Sequence, residues 1–457
     1  MSYKYDASVA ANEVVSYDTF ANISPVQGDA TRNVLLLNAA MVASAVTLTD
    51  SFFSSVSQFK QLVFGTTTSG SQSVTLGENY KNAGFHSIES QTTAGSMKVD
   101  AMFSYTDSDY NLQSTSGTLD VFSGDTKDSI TLAATSGAIT VSAGDNNHTI
   151  NTSTTSGATS ITIHDKVGTV NNGSISTTSG LVLFSAEDGN NNFVSQTTSG
   201  GNTIYTGNGD NHFGANSTSG GITATIGSGD NVFSAKTTSG AVTVTIGGGD
   251  NVITSATQSG GITISTGNGD NTIAATSASG RITITTGAGN DNVAVSSGSA
   301  GSTVNAGSGV NVINIVDKSA GINTIVATDL TSANLVQGSS SALSIFHLGT
   351  VTFGALEWTT QSLVAGTTAA SVSPLTGLLT FTGTPTATGA DFAAQVLQFL
   401  GGTSEAGKVV AYDDGANQWL FASTNENTGH YVELVGIHIA NFEGASVTSG
   451  VGVLQVG

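Results

Sequence analysis

The chain has no cysteine among its 457 residues. Disulfides, thiolate metal sites and thiol redox chemistry are thereby excluded. Only 3 prolines are present, and charge is scarce: 9% of residues, 11 of them basic against 32 acidic, for a formal net charge of −21. No basic patch is available to release counterions from a nucleic acid, and an anionic membrane surface would repel such a chain. Cations would be drawn to it. Long apolar runs are missing as well. NVLLLNAAMVASAVTL (33–48) is interrupted by Asn38 and several hydroxyls and falls short of the about 18–20 apolar residues of a membrane span. No transmembrane segment is expected, and the stretch reads as a buried strand or short helix. The N-terminal MSYKYDASVAANEVVSYDTF lacks the apolar h-region of a cleavable secretory leader.

Catalytic signatures are also lacking. GxSxG, HExxH and GxxxxGK[ST] do not occur, and His86, His148, His164, His212, His347, His430 and His438 show no ligand spacing. The acidic residues of the repeats fall in turns, away from the strand faces on which polysaccharide-cleaving solenoids gather carboxylates. No enzyme and no catalytic residue are expected.

What the chain has is glycine, 57 of them, with abundant Ser, Thr and Asn and an apolar content of 38%. Regularly placed Ile, Val and Phe favour an ordered β-protein over disorder. Thr-Ser-Gly or a close variant begins at 68, 93, 115, 135, 155, 178, 198, 218, 238, 258, 278, 299 and 319, and six consecutive marks from Thr178 to Ala278 are 20 residues apart. Within TSGAVTVTIGGGDNVITSA (238–256), Val242, Val244 and Ile246 share one strand face and Thr243 and Thr245 the other. A GGGDN turn and a second short strand follow. The TSG glycine is expected to supply the positive φ of a tight corner.

Two strands and two turns per 20 residues make one coil of an all-β, parallel β-solenoid, in which stacked coils create the core. Hairpin turns and longer strands, the marks of an immunoglobulin-like sandwich, are not seen. Three regions are expected: residues 1–62 as an N-terminal cap and assembly region, 63–338 as about 13 coils, and 339–457 as a C-terminal cap. In the last, GADFAAQVLQFL (389–400) has amphipathic helical spacing, KVVAYDDGANQWLFAS (408–423) reads as a hairpin, and YVELVGIHIANF (431–442) as a strand.

In such a stack Asp210, Asp230, Asp250 and Asp270 form a column with the interstrand spacing of about 4.8 Å. Neighbouring carboxylates would repel by about 1 kcal/mol in water. Two arrangements relieve this. A file of Ca²⁺ ions held by the Asp column and turn carbonyls is one, since Ca²⁺ takes six to eight oxygens. In the other, Asn211, Asn231, Asn251 and Asn271 form an amide ladder while the Asp residues face solvent.

The pattern G-x-G-x-D-x-U, with U a large apolar residue, resembles the hemolysin-type (RTX) calcium-binding repeat, whose family fold is a parallel β-roll. Gly287-Ala288-Gly289-Asn290-Asp291-Asn292-Val293 fits at every position, and GDTKDSI (124–130) places Asp128 at the same phase. The resemblance implies calcium as ligand, with Asp291 and Asp128 among its ligands. In GNGDNHF, GSGDNVF, GGGDNVI and GNGDNTI the Asp comes one residue early, and Asn211, Asn231, Asn251 and Asn271 stand where the family has Asp. The family repeats its motif about every nine residues, whereas here it comes once per coil. The C-terminal hairpin and the strand after it are similar to the export region of RTX-type proteins sent out by type I secretion. That likeness implies an extracellular protein that folds when it meets calcium.

The strand face raises a separate possibility. Thr203, Thr223, Thr243, Thr263 and Thr283 form one column, and Tyr205, Thr225, Thr245, Ser265 and Thr285 another. Flat Thr-x-Thr arrays are similar to those of ice-binding solenoids, although Thr is also a favoured solvent-facing strand residue. The expected function is a non-catalytic extracellular structural protein, assembling with its own copies through the terminal regions or the flat Thr face. An adhesin or ice-binding solenoid using that face is the alternative.

Overall fold

Alternation in the sequence becomes alternation in burial. In Val242–Ile246 residues 242, 244 and 246 are buried while Thr243 and Thr245 are exposed. Across the glycine turn, Val252–Thr257 buries Ile253, Ser255 and Thr257. A lone coil would leave these side chains open to water above and below. Stacking covers them, at about 1.5–3 kcal/mol for each large aliphatic or aromatic side chain buried.

The computed structural model describes residues 70–307 continuously. It also describes 14–17, 26–27, 33–37, 45–67, 309, 311–315, 323–326, 335–339, 364–372, 378–388, most of 391–398, 409–425, 428–435, 446–448 and 451–455. The chain divides into two compact units, Met1–Gly227 and Ser228–Gly457. Both are built as a parallel β-solenoid, about 11 turns among the described residues at ~20 residues per turn, against the about 13 coils expected. Every coil gives one strand to each of two rows, and register advances by one repeat: Val252 pairs with Thr272 and Val242 with Ile262. Identical phases therefore stack. Val244, Ile264 and Ile284 form one buried file in the second unit.

In the first unit Ile130, Ile150, Gly173, Phe193 and Phe213 form another file. Gly173 is the only small member because a Cβ there would overlap both the Ile150 carbonyl and the Phe193 ring. Phe193 packs 4.5 Å from Phe184, which lies 5.2 Å from Phe213. Parallel pairing in this row also joins Val14–Tyr17, Val34–Leu37, Gln61–Thr67 and Ser87–Thr92. Val34–Leu37 is a fully buried strand. A short helix, Glu78–Asn82, starts under the Asp50 carboxylate, which accepts the Asn79 and Tyr80 N–H groups at 3.1 and 3.0 Å.

The two corners of the coil use glycine differently. Positive φ is found at Gly209 (132°), Gly229 (141°), Gly249 (130°), Gly269 (129°) and Gly289 (149°), all in the GDN turns, and among the described glycines of the TSG marks only at Gly301 (72°), in the Ser-Ala-Gly variant at 299. The expectation of positive φ at TSG is therefore corrected. At that corner glycine is required by close approach: a Cβ on Gly137 would overlap the Gly117 carbonyl, and one on Gly260 the Gly240 carbonyl. A buried hydroxyl completes the bend. Thr257 Oγ1 accepts the Gly260 N–H at 3.0 Å, and Thr154, Thr177, Ser217, Thr237 and Ser277 do the same in their coils.

Past the repeats, Val409–Asp413 and Asn417–Asn425 form the expected antiparallel hairpin, and Thr428–Val435 continues it. Thr428–Val435 also pairs in parallel with Asn323–Val326, so this small sheet carries on one row of the solenoid. Of the helix read over 389–400, residues 391, 392, 394–396 and 398 are helical. Phe392 and Val396 pack there with Trp419, Phe421, Leu379 and Val364. Residues 436–442 of the last predicted strand lie outside the described residues. No helix among the described residues is long and apolar enough to cross a membrane.

Candidate functional site

The GDN corner carries buried polar side chains bonded from coil to coil. After each positive-φ glycine the chain presents an exposed residue, then a buried one. Asp210, Asp230, Asp250 and Asp270 are exposed. Asn211, Asn231, Asn251 and Asn271 are 0–1% exposed. Register places Asp291 and Asp128 in the buried Asn column, not in the Asp column. The one-residue offset visible in the sequence is thus a real change of environment. In the first unit the buried column runs Asp128, His148, Asn171, Asn191 and Asn211. In the second it runs Asn231, Asn251, Asn271, Asp291 and Asn311.

The buried column is bonded rung to rung. Asn231 donates its N–H and Nδ2 to Asn251 Oδ1 at 3.1 and 3.0 Å. Asn251 Nδ2 donates to Asn271 Oδ1 at 2.9 Å, and Asn271 gives both its groups to Asp291 Oδ1 at 2.9 Å. In the first unit Asn171 Nδ2 reaches Asn191 Oδ1 at 3.2 Å, and Asn191 gives both groups to Asn211 Oδ1. The exposed column is bonded in the opposite sense. Asp230 Oδ1 accepts the Asp250 N–H at 2.8 Å, Asp250 Oδ1 that of Asp270 and Asp270 Oδ1 that of Asn290, both at 2.7 Å. Each such bond offsets part of the roughly 1 kcal/mol repulsion between stacked carboxylates.

These contacts answer whether calcium suits the residues present. A hard cation takes six to eight oxygens. The oxygens of Asn211, Asn251 and Asn271 already accept two hydrogens apiece, and the Asp column offers one carboxylate per coil with an oxygen engaged by the next backbone N–H. No group of three or more His, Asp or Glu that could hold a metal occurs among the described residues. The donor set does not fit an ion file running through the turns.

The lower end of the first unit's column departs from amide chemistry. Asp128 Oδ1 accepts the Ser108 N–H at 2.9 Å, and Thr126 Oγ1 donates to both carboxylate oxygens at 3.2 Å. Burial pushes its carboxyl up to about 7, against the lowering by these bonds. His148 Nε2 lies 3.1 Å from the Gly144 carbonyl, leaving Nδ1 facing Asp128 Oδ2 at 3.8 Å, with both side chains sealed from solvent. Burial lowers the His148 pKa. Beside them the Tyr80 and Tyr110 phenols are raised by burial. Two rungs on, Asp165 Oδ2 accepts Asn171 Nδ2 and Asn191 Nδ2 at 3.2 and 3.1 Å, and burial raises that carboxyl too.

The Thr files lie on the face of the other row. Thr223, Thr243, Thr263, Thr225, Thr245 and Thr285 are exposed, and Thr203 and Thr283 half-buried. Thr203 is in register with Thr223, and Thr243 with Thr263 and then Thr283. Tyr205 stands beside Thr225, and Ser265 between Thr245 and Thr285. Sequence reasoning missed His148, Asn171 and Asn191 as members of the buried column. It also missed the corner hydroxyls, whose signal was a Ser or Thr three residues before each TSG glycine. No family model matches the chain, and comparisons with curated proteins and with solved structures return no match.

Proposed function

We propose that the protein is a non-catalytic structural solenoid whose copies associate side by side, through flat and nearly uncharged strand faces, into a layer, matrix or filament. The observation that carries this reading is the segregation of charge. Between Ser228 and Ala306 the exposed acids Asp230, Asp250 and Asp270 sit on the GDN edge, and the strand and TSG positions contribute only Lys236 and Arg281. Faces of small hydroxyls and aliphatic groups in strict register, such as Val232, Val252 and Thr272 on one row, are suited to lie against a copy of themselves. The acidic edge keeps association to the faces. An extracellular setting belongs to the same proposal and rests on the likeness of the C-terminal hairpin region to type I export regions. Calcium-triggered folding is not carried into it, because the buried amide oxygens and one oxygen of each stacked Asp already accept hydrogens.

The test is negative-stain microscopy with sedimentation of the full chain. Sheets or fibres are expected, and the double variant T243E/T263E should disperse them while keeping its circular dichroism. A chain that stays monomeric at high concentration would refute the proposal. The exposed, registered Thr files favour a second reading, binding of an ordered surface such as ice. In that case the chain shows thermal hysteresis and Thr243→Tyr removes it.

A further inference from the structure

We infer that the buried column of the GDN edge is a one-way hydrogen-bond ladder that is complete without a metal ion, and that Asp128 and Asp291, the two residues at the calcium motif's phase, are its weakest rungs. This goes beyond the assembly proposal and does not depend on it.

An Asn rung has a fixed pattern. Its amide oxygen receives two hydrogens from the preceding coil. Its amide nitrogen gives one hydrogen to the next rung and one to the carbonyl of the glycine two residues before it. Asn251 shows all of this: Nδ2 donates to Gly249 O at 2.8 Å and to Asn271 Oδ1 at 2.9 Å, and Oδ1 takes the N–H and Nδ2 of Asn231. Asn271 repeats it toward Gly269 O at 2.8 Å and Asp291.

At Asp291 the receiving half is intact, since Oδ1 takes both hydrogens of Asn271, and its own N–H continues to Asn311 Oδ1 at 2.9 Å. The giving half is missing. Asp291 is 1% exposed, and its Oδ2 has no hydrogen-bond partner. Where an amide would hand hydrogens to Gly289 and Asn311, a carboxylate has none to give. Asp128 differs in that both its oxygens are bonded, Oδ1 by the Ser108 N–H and both by Thr126 Oγ1, but it too has no amide hydrogen to hand on: its Oδ2 faces the unpartnered Nδ1 of His148 at 3.8 Å, beyond bonding distance.

The metal reading and the ladder reading give opposite signs for the same substitution. If Asp291 is a ligand, Asp291→Asn weakens the protein wherever calcium is present. If it is an amide position occupied by an acid, Asp291→Asn supplies the missing donor and removes an unpaired buried oxygen, whose cost is the dominant one in such networks.

The experiment is thermal unfolding of the full chain, followed by circular dichroism, in EDTA and in millimolar calcium. Wild type, Asp291→Asn, Asp128→Asn and the reverse variant Asn251→Asp are compared. The ladder requires the two Asp→Asn variants to melt higher by about 2–4 °C, Asn251→Asp to melt lower, and calcium to leave all four unmoved. An unchanged or lowered melting temperature in Asp291→Asn overturns the inference. So does a calcium-induced rise in wild type that Asp291→Asn loses. Should Asn251→Asp fail to fold, the gain or loss in Asp291→Asn still decides the matter.

Discussion

The TSG and GDN corners do the same job, turning a strand through a sharp bend once per coil, and both are rich in glycine. They solve it by different physics. At TSG the glycine keeps an ordinary backbone and is there because the preceding coil's carbonyl leaves no room for a Cβ. A hydroxyl three residues earlier holds its N–H. At GDN the glycine takes φ near 130° and the same crowding applies, with Gly229 O against Gly249. There a side-chain amide ties each coil to the next. Both corners are tied to the neighbouring coil, the TSG corner by hydroxyl-to-carbonyl bonds such as Ser277 Oγ to Gly260 O at 3.0 Å and the GDN corner by amide to amide, as from Asn251 Nδ2 to Asn271 Oδ1 at 2.9 Å. Identical letters in a sequence can therefore mark a steric requirement in one place and a conformational one in another.

The largest effect should come from adding a methyl group at each corner. Gly249→Ala meets both a forbidden φ and a carbonyl, and should cost about 2–6 kcal/mol. Gly260→Ala meets the carbonyl alone, about 1–3 kcal/mol. Urea unfolding of both variants measures the gap, and equal losses would mean that φ contributes nothing at the GDN corner. Next come the side chains. Asn251→Ala removes the acceptor of two Asn231 hydrogens and should cost about 1–3 kcal/mol, with faster amide exchange in both neighbouring coils. Thr257→Val strips the acceptor from the Gly260 N–H and the donor from the Gly240 carbonyl of the preceding coil, about 1 kcal/mol, and its exchange effect should be confined to these two TSG corners.

The smallest effect is one of pH, confined to the amide column's lower end. Asp128 has a folded pKa raised from 3.8 to about 7. The folded state therefore holds a proton that the unfolded state has released, and stability falls as pH rises through that window. His148 is lowered from 6.5, so its contribution is lost as pH falls below that value. The slopes oppose each other on the acid side and leave a net loss as pH approaches about 7 from below. Melting temperature followed across that range should show this fall in wild type, while Asp128→Asn should abolish it and leave only the opposite slope of His148, a loss as pH drops below 6.5.

Much of the fold was legible in the sequence because a solenoid writes its period openly. The coil length, the inward files such as Val244 with Ile264, and the C-terminal hairpin all follow from spacing alone. The coil strand at Val14–Tyr17 was hidden, since no TSG mark accompanies it, while 33–48 reads as a buried strand or short helix and Val34–Leu37 proves to be a buried strand whose place in the coil row the sequence did not reveal. The candidate site was legible only by half. The offset between Asp250 and Asp291 could be counted, but burial decides what it means, and one letter does not reveal which of two adjacent turn residues points inward. His148 and Asn171 escaped notice because their coils had lost the surrounding glycines that made the phase recognisable.

The uniform polarity of the amide rungs bears on how coils are counted in during folding. Each finished coil presents hydrogens that only an oxygen at one phase of the arriving coil can accept. A slip of one residue would bring Val252, which has no acceptor, to that place instead of Asn251, or would bury the exposed Asp250 carboxylate there. The edge thus proofreads alignment locally, so excising a whole coil should be survivable where inserting a single residue is not.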